Sequence, residues 1–387
     1  MIIEDMIRPE VKNMPPSGIR KYFDIINEMD DVISLGVGEP DFVTPWNVRE
    51  AGIYSLEKGH THYSSNAGFI ELRKEISKYL YRKFDLEYSP EDEIIVTVGG
   101  SEGIDIALRA LVGPGDEVLV PEPSFVAYKG CTAFTGATPK VLNLKAENDF
   151  KLTAKELEEA ITEKTKVVII PFPNNPTGAI MTYEDLKEIV DIIIENDIYV
   201  ISDEIYSELT YGGNHFSIAA FPGMKERTIM INGFSKSYAM TGWRLGYACG
   251  PKNILEQMIK IHQFAIMCAP TTSQHAAIEA LKKCDGVVAE MRETYNQRRQ
   301  FLMHRFKEMD IPCFEPFGAF YVFPNISKFG MTSEEFALEL LNKEKVAVVP
   351  GTAFGDCGEG FLRISYAYSI ENLKIALDKI EHFINSL

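Results

Sequence analysis

The chain has 387 residues, with 39 Lys and Arg against 56 Asp and Glu, so its formal net charge is −17. Hydrophobic residues make up 45% of it, which is typical of a globular protein and excludes a largely disordered chain. At about 150 residues per domain, the length predicts two or three domains. The acidic balance argues against a protein that binds nucleic acid through its phosphates, because such a surface needs a basic stripe.

The cysteines and the N-terminal residues bear on the compartment. The six cysteines are scattered, and no pair has the C-x-x-C spacing of a zinc or redox site. The first residues, MIIEDMIRPE, contain acids where a secretory signal needs a basic region followed by a long apolar stretch. No run approaches the roughly 18 apolar residues of a membrane span. We therefore expect a cytoplasmic protein that contacts no membrane and holds no metal.

Between about residues 90 and 250, short apolar runs alternate with helical patterns. The runs are rich in β-branched residues and nearly continuous, which is typical of strands buried on both faces of a mostly parallel sheet. They are IIVTV (94–98), VLV (118–120), VVII (167–170), IYVIS (198–202) and TIMI (228–231). Apolar spacing of i, i+3, i+4, i+7 predicts a helix after the first run and another before the fourth, the latter with a capping box of Thr182 and Asp185. The predicted class is α/β, a mostly parallel central sheet flanked by helices.

The two ends of the chain have a different pattern. Residues 1–45 are punctuated by Pro and Gly, and residues 252–310 are largely helical in pattern. Three strand-like stretches and a terminal helix follow: FYVF (320–323), VAVV (346–349), FLRISYAY (361–368) and 370–386. We predict that residues 46–285 form a large domain, and that 1–45 and 286–387 together form a smaller α+β domain.

Unusual residues follow each predicted strand. In a parallel α/β sheet, ligands bind at the carboxyl ends of the strands. The segments after the five runs are GGSEG, PEPSF, PFPNNPTG, DEIYSE and NGFSKSYAMTGWRLG. The first of these precedes an amphipathic helix, where free backbone N–H groups and the helix dipole favour an anion such as phosphate, although a plain turn would look alike. The chain has no P-loop or dinucleotide fingerprint. We predict a ligand site at this edge.

Lys236 is the most informative single residue. It follows a buried strand and lies among small, hydroxyl and apolar residues, whereas most lysines are solvated surface charges. A Lys held there could have a lowered pKa and attack a carbonyl to form a Schiff base. Arg244 could pair with a phosphate through both of its terminal nitrogens, and Ser235 could add a hydroxyl donor.

Four further residues could contact a flat, charged cofactor. Asp203 ends a buried strand, so it serves either as a helix N-cap or as the partner of a protonated ring nitrogen. Tyr206 and Asn175 could both reach a phenolic oxygen of the same ring, although Asn175 alone would pass as a turn residue. Phe125 could stack on the ring, although a single Phe after a strand is more often a core residue.

Taken in series, these segments resemble those of the pyridoxal-phosphate enzymes of the aspartate aminotransferase family, class I/II with fold type I. The resemblance covers essentially the whole chain. SKSYAMTGWRLG is similar to the lysine signature of the family, and it is accompanied by LGVGEPDFVTP, HYSSNAGFIELR, NNPTG, DEIY and RISYA. The resemblance implies that the large domain binds pyridoxal 5′-phosphate. It also implies that the enzyme moves an amino group between an L-amino acid and a 2-oxo acid in a ping-pong order.

The resemblance also implies a role for each site residue. Lys236, Asp203 and Tyr206 would be catalytic: the first would hold the cofactor as a Schiff base and move the proton at the substrate α-carbon, and the other two would contact the cofactor ring. The remaining cofactor contacts would come from Gly100, Ser101, Glu102, Phe125, Asn175, Ser235, Arg244 and, across the interface of a homodimer, Tyr63. Substrate contacts would come from Ile19, Gly38, Asn175 and Arg363, the last gripping the α-carboxylate.

Several alternatives stay open at this stage. A β-eliminating lyase uses the same scaffold, and a cofactor-sensing regulator would need a DNA-binding region that the acidic charge does not suggest. Arg363 could instead form a structural salt bridge. Ser101 lies where some dicarboxylate-using relatives carry Lys, and Ile19 and Phe125 indicate tolerance of apolar or aromatic substrates.

Overall fold

The computed structural model describes residues 7–16, 18, 29 and 31–387. Within these residues the α-helices are α1 (Pro9–Lys12), α2 (Trp46–Glu57), α3 (Ile70–Phe84), α4 (Gly99–Leu111), α5 (Ala127–Phe134), α6 (Ala154–Ala160), α7 (Tyr183–Glu195), α8 (Lys252–Ala265), α9 (Thr271–Lys283), α10 (Asp285–Glu308), α11 (Ser333–Glu344) and α12 (Ile370–Asn385). The strands are β1 (Ile33–Ser34), β2 (Ile94–Thr97), β3 (Glu117–Glu122), β4 (Thr138–Asn143), β5 (Thr165–Ile170), β6 (Tyr199–Asp203), β7 (Thr228–Gly233), β8 (Gly246–Cys249), β9 (Tyr321–Val322), β10 (Val346–Ala347), β11 (Val349–Pro350) and β12 (Leu362–Ser365).

Seven strands form the central sheet, in the order β2, β8, β7, β6, β5, β3 and β4. The five strands from β4 to β7 pair in parallel, whereas β8 runs antiparallel to both of its neighbours. All five strands expected from the apolar runs are present, as β2, β3, β5, β6 and β7. The predicted α/β class, with a mostly parallel sheet flanked by helices, is confirmed.

The apolar runs form buried strands because both faces of the sheet are covered by helices. Along β5, Val168 and Ile170 pack in a cluster with apolar residues of α7. The intervening residues, Val167 and Ile169, pack with residues of α4 in a separate cluster. Successive side chains of a strand point to opposite faces, so a continuous apolar run serves two cores at once.

Helix α7 begins where the sequence predicts. The Thr182 side chain accepts a hydrogen bond from the backbone N–H of Asp185, and the Asp185 carboxylate accepts one from the N–H of Thr182 at 2.8 Å. This reciprocal capping box satisfies two N–H groups that have no partner within the helix. The predicted capping box is therefore confirmed.

Two strands of the central sheet lack a clear sequence signal. Strand β4 lies at the sheet edge, only Leu142 in it is fully buried, and its sequence TPKVLN contains no apolar run. Strand β8 is short and follows the glycine-rich segment that contains Arg244. Edge strands expose one side to solvent and need no continuous apolar pattern, which is why β4 was not expected.

The strand-like stretches near the C-terminus form small sheets with several partners. VAVV is divided: β10 pairs in parallel with β1, and β11 pairs antiparallel with β12, which also pairs with β9. The β1–β10 pair places Ile33 opposite Val346, so the N-terminal and C-terminal parts share backbone hydrogen bonds. The domain boundaries at residues 46 and 286 stay a prediction. No helix among the described residues is long and apolar enough to cross a membrane.

Candidate active site

The carboxyl ends of β2, β3, β5, β6 and β7 converge on one cavity of about 430 Å³. Residues that follow each of these strands line its wall, as expected for the edge of a parallel sheet. Of the residues expected from the sequence, the cavity is lined by Gly38, Gly100, Ser101, Phe125, Asn175, Asp203, Tyr206, Ser235, Lys236, Arg244 and Arg363.

The turn between β2 and α4 forms an anion site. Gly99 opens the helix with φ of +76°, and a Cβ atom built on it would lie 2.6 Å from Nη2 of Arg244. Glycine therefore permits both the left-handed turn and the close approach of the guanidinium. The first N–H groups of a helix have no partner within it, and Gly100 and Ser101 at the start of α4 line the same cavity as the exposed Arg244 side chain. Backbone donors and a cation thus converge where a phosphate could bind.

The Glu102 side chain supports this turn from outside the cavity. Its Oε2 accepts a hydrogen bond from the backbone N–H of Val98 at 2.5 Å, and its Oε1 lies 2.6 Å from Nδ1 of the fully buried His262. Only the backbone of Glu102 is therefore placed to meet an anion. His262 was not expected from the sequence, because it follows Glu102 by 160 residues and lies within an ordinary amphipathic helix.

Lys236 follows β7 and points into the cavity. Its Nζ donates a hydrogen bond to the backbone carbonyl of Gly38 at 2.6 Å. Burial lowers the pKa of Lys236 to about 8, and the positive charges of Arg363 and Arg244 act in the same direction. An amine with this pKa is neutral in about a tenth of molecules at pH 7, far more than an ordinary lysine, so it can act as a nucleophile or a base.

Asp203 is a buried carboxylate at the end of β6. The hydroxyl of Tyr128 donates to its Oδ2 at 2.6 Å, and the backbone N–H of Ile205 donates to its Oδ1 at 3.2 Å. Burial raises the pKa of Asp203, against the opposing effect of these two hydrogen bonds. The sequence analysis missed Tyr128, although a tyrosine three residues after Phe125 at the start of an apolar helix was a usable signal.

Two tyrosine hydroxyls meet on the other side of the cavity. The hydroxyl of Tyr206 lies 2.8 Å from that of Tyr321, and both side chains are buried. Burial raises the pKa of both groups, so both are protonated at neutral pH. Tyr321 was also missed, because FYVF has the pattern of a core strand and carries no sign that one of its hydroxyls enters a site.

Arg363 on β12 is fully buried between two aromatic rings. Its guanidinium carbon lies 4.7 Å from the ring centre of Tyr321 and 4.8 Å from that of Phe354. Its Nη1 donates to Oδ1 of Asn175 at 3.0 Å, and its Nη2 donates to the carbonyl of Gly36. Since Oδ1 of Asn175 is engaged in this way, its amide nitrogen remains available to donate to a ligand.

No carboxylate pairs with Arg363 in the part of the chain that the structure describes, and its Nε–H has no hydrogen-bond partner there. Arg363 therefore forms no structural salt bridge with any of these described residues. A buried cation without a counterion is costly, and an incoming carboxylate would relieve that cost. An incoming carboxylate could therefore pair with Arg363.

Two expected site residues within the described part of the chain, Glu102 and Tyr63, do not line this cavity. Tyr63 has 78% of its surface exposed and lies outside the cavity of its own chain. Ile19 lies outside the described residues.

The donors in the cavity suit a phosphorylated pyridine aldehyde. The anion turn matches a phosphate, Asp203 matches a protonated ring nitrogen, and the hydroxyl of Tyr206 matches a ring oxygen. Lys236 supplies an amine for the aldehyde carbon. In such a molecule the buried carboxylate of Asp203 gains a protonated nitrogen as its partner, and the amine of Lys236 gains an aldehyde carbon.

Comparison with known proteins agrees with this chemistry. A family model described as aminotransferase class I and II matches residues 30–380. The chain is 53% identical over 375 residues to a putative aminotransferase, YugH, of Bacillus subtilis, and the match covers 97% of each chain. It is 46% identical to an aspartate aminotransferase of Pyrococcus abyssi, with 95% of each chain covered.

A solved structure gives the same result for the fold. The aromatic aminotransferase from Pyrococcus horikoshii superimposes with a TM-score of 0.91 at 42% identity, covering 95% of this chain and 99% of that one. These relatives favour amino-group transfer over the lyase alternative. The family uses pyridoxal 5′-phosphate, the cofactor that the donors of the cavity fit. The chain belongs to the class I and II aminotransferases and is a pyridoxal-phosphate-dependent enzyme of that family.

Proposed function

We propose that Lys236, Asp203 and Tyr206 are the catalytic residues with which this aminotransferase exchanges an amino group between an L-amino acid and a 2-oxo acid. The observation that carries the proposal is the position of Lys236, a buried amine with a pKa of about 8 in the same cavity as the unpaired Arg363. The donor leaves as an oxo acid before the acceptor binds, which is a ping-pong order.

The chain's own residues divide the work of binding and proton transfer. When bound, pyridoxal 5′-phosphate supplies a carbonyl carbon for the substrate amine and a ring that withdraws electrons from the substrate α-carbon. Arg363 binds the α-carboxylate, and Lys236 takes the α-proton on Nζ and later returns it. Asp203 holds the proton at the ring nitrogen. Tyr206 and the amide nitrogen of Asn175 donate to the ring oxygen.

The phosphate and the ring faces are assigned to the remaining residues of the cavity. The backbone N–H groups of Gly100, Ser101 and Glu102 bind the phosphate together with Ser235 and Arg244. Phe125 is half-buried in the wall and stacks on the ring. Gly38 lets the backbone approach the substrate carboxylate, whereas Ile19, expected from the sequence to contact the substrate, lies outside the described residues.

We also propose that the enzyme is a homodimer in which Tyr63 contacts the phosphate bound by the other subunit. Large apolar side chains are exposed on α2, on the last turn of α8 and on the segment that follows α8. The side-chain amide of Asn66 donates to the carbonyl of Met267 at 2.8 Å, which joins the Tyr63 segment to that surface. Exposed apolar surface of this kind is typical of an interface. The residues are Trp46, Ile53, Tyr54, Leu56, Phe264, Ile266 and Met267.

Subunit complementation tests the dimer and the role of Tyr63 together. The molar mass in solution should be twice the 43.5 kDa of one chain. Mixing Lys236→Ala with Tyr63→Phe under conditions of subunit exchange should restore about a quarter of wild-type activity, because each hybrid has one intact site. Hybrids that form without recovering activity would contradict a shared site.

For the substrate we propose an amino acid with an apolar or aromatic side chain. Ser101 offers no charge to a second carboxylate, and within the described residues only Lys236, Arg244 and Arg363 bring positive charge to the cavity. Ile104 and Phe125 add apolar surface to its wall. Pocket shape and one or two polar groups decide such a preference.

Half-reactions test the function and the substrate class. Each amino acid is added to the holoenzyme, and the absorbance change of the cofactor is followed. We expect the absorbance of the wild-type cofactor to change rapidly with aromatic and large aliphatic donors. The Lys236→Ala variant should not convert these donors to oxo acids, and the surface control Lys252→Ala should react at wild-type rates. Full activity of Lys236→Ala would overturn the mechanism, and reaction of aspartate and glutamate alone would overturn the substrate class.

We further propose a cytoplasmic location and a role in amino-acid biosynthesis. All six cysteines are unpaired, which suits a reducing compartment. Recovery of the enzyme in the soluble cytoplasmic fraction of lysed cells is the expected result.

A further inference from the structure

Tyr321 contacts two residues with different proposed functions, Arg363 for the substrate and Tyr206 for the cofactor. Its ring lies against the Arg363 guanidinium, 4.7 Å from ring centre to carbon, and its hydroxyl lies 2.8 Å from that of Tyr206. The side chain is fully buried on β9 and lines the cavity. No other described side chain has a recorded contact with both Arg363 through its ring and Tyr206 through its hydroxyl.

The surroundings hold Tyr321 in one position. A Cβ atom on Gly38 would come 2.7 Å from the Tyr321 hydroxyl, so the glycine backbone packs directly against that oxygen. The ring of Tyr206 meets the ring of Tyr321 at 79°, with 5.9 Å between centres. A hydroxyl fixed between a backbone and a second hydroxyl has little rotational freedom.

The number of protons on the two hydroxyls determines which tyrosine donates the hydrogen bond between them. A phenol has one proton to donate and lone pairs that accept. If Tyr206 donates its proton to the ring oxygen of the cofactor, the 2.8 Å contact requires Tyr321 to donate to Tyr206. Hydrogen bonds in such a chain polarise one another, so Tyr206 becomes a stronger donor.

We propose that Tyr321 is a positioning residue that serves both sites: its hydroxyl directs the Tyr206 proton towards the cofactor, and its ring holds Arg363 for the substrate carboxylate. The inference rests on the roles proposed above for Tyr206 and Arg363. It assigns one function to the hydroxyl and another to the ring, so the two can be removed separately.

The charged groups around the hydroxyl pair are compatible with this direction. Arg363 faces both tyrosines from β12, Asp203 acts on Tyr206 from β6, and Nζ of Lys236 lies 5.9 Å from the Tyr206 ring. Glu39 and Arg244 act on Lys236 from the neighbouring segments. Burial keeps the pKa of both tyrosines above its ordinary value, so both protons are in place at neutral pH.

A spectral titration of the holoenzyme tests the function of the hydroxyl without measuring turnover. The midpoint of the absorbance change reports proton loss from the bound cofactor, and hydrogen bonding to its ring oxygen stabilises the deprotonated form. Tyr206→Phe should raise the midpoint by about 1 pH unit. Tyr321→Phe should raise it by about 0.1–0.5 unit, and the double variant should match Tyr206→Phe.

The outcomes distinguish the role of the Tyr321 hydroxyl from the proposed role of Tyr206. A midpoint that moves in Tyr206→Phe but not in Tyr321→Phe overturns the hydroxyl function alone. So does a Tyr321→Phe shift that persists in full in the Tyr206→Phe background. A midpoint unchanged in Tyr206→Phe overturns the proposed role of Tyr206 and this inference with it.

Binding of a simple carboxylate, propionate, tests the function of the ring. Tyr321→Phe keeps the ring and should bind propionate within about twofold of wild type, whereas Tyr321→Leu should bind it about 3- to 20-fold more weakly. Phe323→Leu, an equally buried change in the same segment that packs away from the cavity, should leave the affinity unchanged. Equal affinities in Tyr321→Leu and Tyr321→Phe would overturn the ring function.

Discussion

The cavity contains two arginines, each proposed to bind an anion, and their surroundings are opposite in kind. At the turn before α4, an exposed Arg244 adds charge to donors that the backbone already supplies. At the other end, Arg363 is buried between aromatic rings with no counterion in the described structure. Without a ligand, the Arg244 guanidinium is solvated by water, whereas the Arg363 guanidinium is desolvated and has no counterion among the described residues. A ligand therefore gains more from each contact with Arg363.

Replacing Arg363 should produce the largest effect. Arg363→Leu removes the only described group placed to receive the substrate carboxylate, and we expect kcat/KM for amino acids to fall about 10²- to 10⁴-fold. Affinity for the cofactor should change little, since the proposed phosphate site lies at the turn before α4. Steady-state kinetics together with cofactor titration measures both. A loss of cofactor affinity as large as the loss of kcat/KM would contradict separate sites.

Replacing Arg244 should have a smaller effect on a different quantity. Arg244→Leu removes one exposed cation while the backbone donors remain, so cofactor affinity should fall about 10-fold. The difference from wild type should shrink at high salt because exposed charges are screened. Titration of the apoenzyme with cofactor at low and high ionic strength provides the measurement. A deficit independent of salt would mean that Arg244 acts as a buried group.

The effects of Arg363 and Arg244 can be compared through the pKa of Lys236. Both lower the pKa of this amine, and Arg363 has the greater influence. In the apoenzyme, reaction of Lys236 with a small aldehyde should follow a pKa of about 8, because only the neutral amine reacts. Arg363→Leu should raise that pKa by more than Arg244→Leu does. A larger rise in Arg244→Leu than in Arg363→Leu would contradict the stronger influence of the buried arginine on the Lys236 pKa.

Protonation of Lys236 also affects stability. The pKa of this amine lies near 8 in the folded apoenzyme and near 10.5 in the unfolded chain, so the unfolded state binds more protons between those values. The contribution of this group to the free energy of unfolding therefore rises with pH, by up to about 3 kcal/mol. Denaturant unfolding of wild type and Lys236→Met from pH 7 to 10.5 should show a stability difference that shrinks across this range.

The smallest effect is expected at Gly99. An alanine there must adopt φ of +76° and displaces the Arg244 guanidinium, which would lie 2.6 Å from the new Cβ. We expect the apoenzyme to lose about 1–2 kcal/mol of stability and cofactor affinity to fall by less than in Arg244→Leu. Gly113→Ala, where a Cβ meets no atom within 4 Å, is the matched control for cofactor affinity.

Sequence predicted the parts of the site that lie next to their own strands. Lys236, Asp203 and Asn175 each follow a buried apolar run, and the sheet brings such positions together whatever the details of packing. The contacts that tune these residues were not accessible in this way. Tyr321 is 115 residues from Tyr206, and Tyr128 is 75 residues from Asp203. Such pairs depend on tertiary geometry, which no local pattern encodes.

The same distinction applies to the fold. Strands β5 and β6 are buried over most of their length and have a strong apolar pattern, whereas the edge strand β4 needs no such pattern and was missed. The division of VAVV between two partners also has no local sign, since both halves are equally apolar. Burial on both faces is what makes a strand predictable.

The short segment after β1 has a consequence for how the enzyme is made. The carbonyls of Gly36 and Gly38 receive hydrogen bonds from Arg363 and Lys236, which follow them by 327 and 198 residues. A ribosome delivers these partners long after the glycines have emerged, and closing such long loops comes late in folding. A partly synthesised chain that ends before β12 thus lacks Arg363, whereas Lys236 and its partner Gly38 are both present once residue 236 has been added.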